Sequence, residues 1–357
     1  MDDYDDSFLA RSKLKRTGIT DLLNVDGITE VAVNQPGVIW FERGNGWESK
    51  ISEQCNYGAL ADLAQALSVK NNTGGIDSQW LNGKVNGVNS IHSVTLPDGE
   101  RGQIILPPVT EQGKISITIR KPSKSRFTLQ SYIDSGRLSN YEICGKAFDK
   151  HRPLTHDQEE MLGLLRRGDT DRFFKKSVEM KLNHLMVGAT GSGKTTFMKA
   201  VADLFPLNRR YITMEDTHEL DLPIHHNHVH LFFKREGQGV TAKDLIEAAM
   251  RMKPDHIYLT ELRGDETWNY LGAINTGHNG SLSSTHAEAT PAGVFNRLTT
   301  LVKQSPIGST LDYSLISNTV ASTIDLITFW EGSYMKKVYY NPEEKNDAIN
   351  RLLGMAA

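Results

Sequence analysis

Residues 188 to 195 read Gly188-Ala189-Thr190-Gly191-Ser192-Gly193-Lys194-Thr195. This octapeptide matches the pattern G-x-x-x-x-G-K-[ST], in which glycines let the backbone curl until several N–H groups point at phosphate oxygens. We expect an apolar strand before it, at Leu185 to Val187, and a helix after it, at Thr196 to Phe205, whose N-terminal dipole favours an anion. Lys194 is expected to contact the β- and γ-phosphates, and the Thr195 hydroxyl to bind Mg²⁺. The stretch therefore predicts a phosphate-binding loop, extending through Thr196, between a strand and a helix of an α/β fold.

The chain beyond residue 158 alternates helical stretches with short apolar strands, which is the pattern of a parallel α/β sheet. The predicted strands are Leu185 to Val187, Tyr211 to Met214, Val229 to Phe233, Ile257 to Thr260, Ser281 to Ser284 and Leu326 to Trp330. Thr241 and Asp244 read as a capping box that opens a helix, and Pro254 ends that helix. We therefore predict an α/β domain with a phosphate loop over residues 158–357.

The first third of the chain is rich in strands. The predicted ones are Ile28 to Asn34, Val38 to Arg43, Ile91 to Leu96, Gln103 to Leu106 and Ile115 to Arg120. Turn signatures at residues 35–37 and 97–99 separate the first four into two hairpins, and Ala59 to Leu67 has a helical pattern. A polar run at residues 123–126 then breaks the strand pattern. We predict an N-terminal α+β domain at 1–124 and a connector at 125–157.

Composition and charge set only broad limits on the 357 residues. The formal net charge of −3 offers no global reason to expect nucleic-acid binding. Cys55 and Cys144 form no pair motif, which favours a reducing compartment and excludes a four-cysteine zinc site. No apolar run approaches the roughly 18 residues of a membrane span, and residues 1–16 do not read as a signal peptide. We expect a cytoplasmic protein whose contact with a membrane, if any, is peripheral.

Acidic residues follow two of the predicted strands. Glu215 and Asp216 come after Tyr211 to Met214, and Glu261 comes after Ile257 to Thr260. Ligands of open α/β sheets bind at this carboxyl edge, and a phosphate loop needs carboxylates there to bind Mg²⁺ and to orient water. We therefore expect Glu215, Asp216 and Glu261 near the metal, with Glu261 or Glu215 activating water. The alternative is that any one of these acids is a solvated or capping side chain.

Histidines suggest two further sites. His286 follows the predicted strand Ser281 to Ser284 and is a candidate sensor of the γ-phosphate, although a lone histidine is more often structural. His226, His228 and His230 alternate, so they share one strand face and permit a metal site. No suitable carboxylate or cysteine accompanies them in sequence, and a buried or interface strand explains the spacing as well.

The order of these motifs resembles the type II/IV secretion ATPase superfamily. After the phosphate loop come an acidic box, a degenerate Walker B segment and a histidine box, at residues 212–216, 257–264 and 280–287. The finer match is to the traffic ATPases of type IV secretion and conjugation, carried by residues 215–220, 226–232, 253–255 and 261–266. The type II relatives carry a four-cysteine zinc module that two cysteines cannot build. Thr260 and Lys253 depart from the usual family residues, but neither departure removes a catalytic group.

This resemblance implies a RecA-like fold for residues 158–357 and a homo-oligomer, a hexameric ring, on the cytoplasmic face of the bacterial inner membrane. It implies a nucleotide held between the two domains, with arginines of the N-terminal domain reaching its phosphates; Arg101 and Arg120 match those positions. Other secretion-system ATPases and inner-membrane subunits are the implied partners, and direct nucleic-acid binding is not expected. The resemblance makes His286 a site residue and weakens the metal interpretation of the histidine strand.

The resulting hypothesis is a motor that hydrolyses ATP with Mg²⁺ and powers substrate transfer or pilus assembly. Lys194, Arg101 and Arg120 would stabilise the negative oxygens of the transition state, and closure of the N-terminal domain would be the power stroke. Two alternatives stay open. A nucleic-acid motor predicts hydrolysis stimulated by DNA or RNA. A nucleotide-gated scaffold predicts tight binding of ATP without turnover.

Overall fold

The computed structural model describes residues 7–44, 46–73, 90–121, 126–145, 154–234 and 239–354. The chain divides into two compact units, Met1–Lys124 and Ser125–Ala357. None of the helices in the described residues combines the length and the apolar character that a bilayer-spanning segment requires.

The first unit is an antiparallel sheet with helices. Its helices are α1 (Phe8–Thr17), α2 (Ile19–Leu23) and α3 (Tyr57–Lys70). Its strands are β1 (Ile28–Gln35), β2 (Val38–Arg43), β3 (Gly46–Ile51), β4 (Ile91–Thr95), β5 (Arg101–Ile105) and β6 (Ser116–Arg120). Within the described residues the strand order is β3-β2-β1-β6-β5-β4. Both predicted hairpins are confirmed, as is the strand ending at Arg120; β3, α1 and α2 were not predicted.

Alternation of apolar and polar residues explains how this sheet buries one face. In β6, Ile117 and Ile119 are buried while their neighbours are half-exposed. They pack with Leu60, Leu63 and Leu67 of α3 in one apolar core. The Asn56 side chain starts α3 by accepting a hydrogen bond from the backbone N–H of Ala59 at 3.0 Å, as expected of a good N-cap.

The second unit is a sheet with helices on both faces. Its helices are α4 (Leu129–Asp134), α5 (His156–Arg167), α6 (Thr170–Glu179), α7 (Lys194–Ala202), α8 (Ala242–Arg251), α9 (Glu266–Asn275), α10 (Pro291–Gln304), α11 (Tyr313–Thr323) and α12 (Pro342–Leu352). Its strands are β7 (Glu142–Cys144), β8 (His184–Gly188), β9 (Tyr211–Glu215), β10 (His228–Phe232), β11 (His256–Leu262), β12 (Leu282–Thr285), β13 (Leu326–Glu331) and β14 (Tyr334–Tyr340).

The strand order in the described part of this sheet is β10-β9-β11-β12-β8-β13-β14-β7. The first six are parallel to one another, which confirms the predicted α/β class and all six predicted strands. Two further strands extend this sheet beyond β13: β14 is antiparallel to β13, and β7 is parallel to β14. The sheet is therefore mixed at one end.

The strands of this sheet are buried along their length because helices cover both of its faces. Along β8, Leu185 and Val187 lie in one apolar core, whereas Met186 between them lies in the other. The predicted capping box is present at the start of helix α8. The Thr241 hydroxyl accepts a hydrogen bond from the Asp244 N–H, and the Asp244 carboxylate accepts one from the Thr241 N–H.

The stretch predicted as a connector, 125–157, packs as part of the second unit wherever it is described. Strand β7 pairs with β14, and Tyr132 of α4 is buried with its ring 5.1 Å from that of Phe197 and 5.8 Å from that of Trp330. Sequence reasoning missed this because a three-residue strand and one buried tyrosine carry no periodic signal.

Candidate active site

The phosphate loop joins β8 to α7. Gly191 and Gly193 have φ of +74° and +94°, a backbone conformation that glycine adopts without a steric penalty. The Nζ atom of Lys194 donates to the carbonyl oxygens of Gly188 at 2.7 Å and Ala189 at 2.8 Å. The lysine side chain is thus held against the loop in which phosphate oxygens are expected.

Helix α7 begins two residues earlier than predicted, at Lys194 rather than Thr196. Thr195 and Thr196 consequently lie in its first turn, both half-buried, where the N–H groups of a helix are free of intrahelical partners. A backbone hydrogen bond also stabilises the loop, because the Ser333 N–H donates to the Ser192 carbonyl oxygen at 3.1 Å. The first turn of α7 and the glycine loop thus present donors at one edge of the sheet.

Strand β12 is polar yet fully buried, and its hydroxyl groups explain how. Ser283, Ser284 and Thr285 donate from their side chains to carbonyl oxygens of neighbouring β11 at 2.6, 2.8 and 2.9 Å. Buried hydroxyl groups are stable only when they are hydrogen-bonded in this way. These bonds attach β12 to β11 and determine where the residues at their carboxyl ends lie.

Glu261 and His286 are brought together at those carboxyl ends. Glu261 lies inside β11, which runs two residues further than predicted, and His286 directly follows β12. The Oε1 atom of Glu261 is 3.1 Å from Nε2 of His286 and 2.5 Å from Nε of Arg263. Because β12 lies between β11 and the phosphate-loop strand β8, this cluster flanks the phosphate loop.

The electrostatic environment of His286 ties it to the same loop. Burial first, and then the positive charge of Lys194, lower the pKa of His286 below its ordinary value, while the carboxylate of Glu261 opposes the shift. A histidine with a lowered pKa is neutral at pH 7 and offers one donor and one acceptor nitrogen. His286 is therefore suited to report on a group bound beside Lys194.

Glu215 is placed differently from Glu261. It is the last residue of β9 and is fully buried. Its carboxylate accepts hydrogen bonds from the backbone N–H groups of Glu219 at 2.6 Å and Leu220 at 2.8 Å, and it lies 3.3 Å from Nδ1 of His218. The carboxylate thus holds the loop after β9 in shape. Asp216, one position further on, is half-buried.

The chain is similar in sequence to known proteins. A family model described as "Type II/IV secretion system protein" matches residues 158–328. The type IV secretion system protein VirB11 of Brucella abortus is 36% identical over 330 residues, covering 89% of this chain and 86% of that protein. PtlH of Bordetella pertussis, another type IV secretion system protein, is 34% identical over 314 residues, covering 87% of each.

The chain belongs to the type II/IV secretion ATPase family. A crystal structure in this family, the VirB11 ATPase from the Brucella suis type IV secretion system in complex with sulphate, superposes with a TM-score of 0.51. It has 33% identity and covers 96% of this chain and 98% of that chain. The predicted family, its type IV secretion branch and the ATPase activity are thereby confirmed. This secretion ATPase uses nucleotide as its substrate.

The two arginines singled out in the first unit of this secretion ATPase are cross-strand partners. Arg101 begins β5, Arg120 ends β6, and the two face each other in register. Adjacent positions on neighbouring strands place both side chains on one face of the sheet. The Nε atom of Arg120 is 3.8 Å from Oε1 of Glu30, so a carboxylate partly balances the pair.

The three alternating histidines do not all lie on one strand. His228 and His230 lie on β10, whereas His226 precedes it and is exposed. The His230 ring lies 4.5 Å from that of His228, and His230 is also near His218 and Asp221 of the loop after β9. The expectation that no carboxylate accompanies this strand was wrong, because the loop after the neighbouring strand β9 supplies Asp221.

Sequence reasoning also missed the residues that position Glu261. Glu266 is buried, and its carboxylate accepts from the backbone N–H groups of Arg263 at 2.8 Å and Gly264 at 3.0 Å. The turn after β11 is therefore held by a side chain five residues beyond Glu261. An acidic residue at the start of a helix, three residues after a turn begins, is a weak sequence signal for a carboxylate that accepts the N–H groups of that turn.

Proposed function

We propose that this secretion ATPase is one subunit of a hexameric ring that powers substrate transfer or pilus assembly in a bacterial type IV secretion or conjugation system. The observation that carries the proposal is the convergence at one sheet edge of the phosphate loop, Glu261 and His286. In RecA-like folds this edge binds the nucleotide, and the grouping of a lysine, a carboxylate and a neutral histidine there matches the needs of phosphoryl transfer.

In the proposed mechanism, residues 188–196 bind the phosphates of ATP through backbone N–H groups, and Lys194 leaves its loop carbonyls for the β- and γ-phosphates. Glu261 orients the attacking water or accepts its proton. Arg263 contacts the same oxygen of Glu261 and is proposed to hold that carboxylate towards the edge. His286 senses the γ-phosphate and passes the change to β12.

The residues proposed to hold Mg²⁺ are Thr195, Asp216, Glu215 and Glu261. Their donors are hydroxyl and carboxylate oxygens, the ligand type that Mg²⁺ prefers, and Thr195 lies in the first turn of α7 beside the phosphate loop. When bound, the ion supplies charge neutralisation on the phosphate oxygens. Because the Glu215 carboxylate already accepts two backbone N–H groups, we expect it to support Asp216 rather than to activate water.

The proposal divides the work between an N-terminal domain at 1–124 and an ATPase domain at 158–357, joined by residues 125–157, which belong to the second compact unit. Arg101 and Arg120 are proposed to contact the phosphates, and their pairing across β5 and β6 supports a joint role. Closure of the N-terminal domain over the nucleotide is the proposed power stroke. The proposed partners are other secretion-system ATPases and inner-membrane subunits, at the cytoplasmic face of the inner membrane.

Phosphate release from ATP, measured at several protein concentrations, tests this function. Wild type should be active, with activity per chain rising as subunits assemble, and Lys194→Ala should lose activity. Lys243→Ala, an exposed lysine on α8, is the matched control and should behave as wild type. Equal activity in Lys194→Ala and wild type would refute the site.

Two outcomes would favour the alternative functions. Strong stimulation of hydrolysis by single- or double-stranded DNA or RNA, weakening as salt rises, would favour a nucleic-acid motor. Tight binding of ATP without phosphate release at any protein concentration would favour a nucleotide-gated scaffold. The formal net charge of −3 speaks against the first of these.

A further inference from the structure

A cluster of metal-ligating side chains lies beside the proposed ATP site. Among the residues that the structure describes, His218, Asp221 and His230 form a group in which one ligand atom from each lies within 4.8 Å of the others. His218 and Asp221 belong to the loop after β9, and His230 is the middle residue of β10. The parallel pairing of β9 with β10 brings the three together.

Both histidines have one ring nitrogen engaged by a neighbour. Nδ1 of His230 lies 2.6 Å from the Thr213 hydroxyl oxygen, and Nδ1 of His218 lies 3.3 Å from Oε2 of Glu215. Histidines that bind metals characteristically have their second nitrogen held by a carboxylate or another acceptor, which sets the ring orientation. This arrangement assigns Nε2 of each ring to the metal. Glu215, rigidly held by two backbone N–H groups, is a firm anchor for His218.

We propose that His218, Asp221 and His230 bind one divalent transition-metal ion of the zinc class. Two imidazoles and one carboxylate are a ligand set typical of zinc sites that keep a fourth position open to water. Mg²⁺ is disfavoured because it prefers oxygen ligands. Tetrahedral zinc bonds of about 2.0–2.1 Å place donor atoms roughly 3.3 Å apart. Binding therefore requires a small inward movement, which the exposed His218 side chain can make.

The charges around the cluster permit this assignment. Two cationic side chains lie near the cluster and oppose the binding of a positive ion. Nη1 of Arg126 lies 4.0 Å from Oδ2 of Asp221, and Lys199 acts on His218 electrostatically. The Asp221 side chain is 58% exposed and has two oxygens, so one can serve Arg126 while the other binds the ion.

An ion bound here would tie the loop after β9 to β10 and fix His218 against Glu215. The site uses none of the groups proposed for Mg²⁺ as direct ligands, and Glu215 enters only through its contact with His218. The inference therefore stands independently of the proposed motor function.

Zinc titration of the tag-free, full-length protein by isothermal calorimetry tests the site, without nucleotide and in excess Mg²⁺. Wild type should bind one Zn²⁺ per chain. His218→Ala and Asp221→Asn should each lower the affinity at least about tenfold. His226→Ala, an exposed histidine of the same segment outside the cluster, is the matched control and should retain wild-type affinity.

Thermal unfolding separates loss of ligation from loss of fold. His218 and Asp221 are exposed, so without metal both variants should unfold at the wild-type midpoint. Zn²⁺ should raise the midpoint of wild type and His226→Ala but not that of the two variants. The proposal is overturned if wild type binds no stoichiometric Zn²⁺, if both variants keep wild-type affinity, or if His226→Ala loses affinity equally.

Discussion

Nε2 of His286 lies 3.1 Å from Oε1 of Glu261, although the two residues are 25 positions apart, with Glu261 in β11 and His286 directly after β12. The contact exists because hydroxyl groups of β12 donate to the carbonyls of β11 and hold the two strand ends together. Glu261, the proposed water-orienting carboxylate, and His286, the proposed phosphate sensor, are therefore in direct contact. A substitution at either residue should change the position of the other.

Glu261→Gln should abolish hydrolysis while leaving nucleotide binding intact. The amide keeps the size of the side chain but cannot take a proton from water, so kcat should fall by at least about 10²-fold. Steady-state phosphate release and the Kd of a fluorescent ATP analogue measure the two effects. Glu247→Gln, an exposed acid on α8, should leave both unchanged. Normal turnover in Glu261→Gln would remove Glu261 from the mechanism.

Gly188→Ala should destabilise the protein and weaken ATP binding. A Cβ atom there would lie 2.4 Å from the Trp330 carbonyl oxygen and 2.6 Å from the Ser192 hydroxyl oxygen, so β8 must move away from β13. Such overpacking costs about 1–3 kcal/mol of unfolding free energy, measurable by urea denaturation.

Gly272→Ala is the control for that substitution. Apart from its chain neighbours and the backbone of its own helix, no atom lies within 4 Å of a Cβ at this position on helix α9, and alanine favours a helix by about 0.5–1 kcal/mol over glycine. The control should therefore be neutral or stabilising. An equal loss in both variants would mean that the close contact at Gly188 is not the cause.

Lys345→Met should cost about 2–4 kcal/mol of unfolding free energy at neutral pH, because it leaves the buried Asp325 carboxylate without its cation. Lys345 contacts Oδ1 of Asp325, and Oδ2 accepts the Asn183 N–H at 2.8 Å. Burial already raises the pKa of Asp325. Loss of Lys345 should raise it further, so the deficit should shrink as pH falls and the carboxyl is protonated.

Lys337→Met provides the comparison for Lys345, since Lys337 pairs with an exposed partner, Glu142, at 3.6 Å. Exposed ion pairs contribute less than about 1 kcal/mol. Urea unfolding of both variants at pH 7.5 and pH 5 should therefore separate them. A larger loss in Lys337→Met than in Lys345→Met would contradict the assignment of the buried pair.

Stability should fall as the pH drops below about 6.5, the ordinary histidine value. Burial lowers the pKa of His184 to about 3 and that of His256 to about 4. Between these pKa values and pH 6.5, the unfolded chain binds protons at both histidines, whereas the folded chain does not. The stability that the two neutral histidines contribute is therefore fully present above about pH 6.5 and is lost as the pH falls below it. Each histidine contributes up to about 1.4 kcal/mol per pH unit.

His184→Phe isolates one of these contributions. Neither ring nitrogen of His184 has a hydrogen-bond partner among the described residues, so phenylalanine removes the titration without breaking a hydrogen bond. The slope of unfolding free energy against pH should become shallower between pH 6.5 and 4.5. An unchanged slope would mean that His184 does not drive the acid sensitivity.

Much of the fold and the centre of the site could be predicted from the chain alone. The glycine pattern at 188–195, the apolar strand before it and the capping box at Thr241 are local signals. Each follows from backbone freedom, hydrogen bonding or periodicity within a few residues. Glu261 and Glu215 could be placed at one edge because parallel strands share their direction.

Tertiary structure decided what depends on neighbours distant in sequence. Residues 126–145 pack with the second unit because β7 pairs with β14 and the Tyr132 ring packs against that of Phe197. The surroundings of the two glutamates differ because the loop after β9 folds back onto Glu215, whereas Glu261 contacts His286 and Arg263. Asp221 came to lie beside His230 only because β9 and β10 pair side by side. A local pattern specifies strands and turns, but contacts between side chains depend on strand order and on how each loop packs.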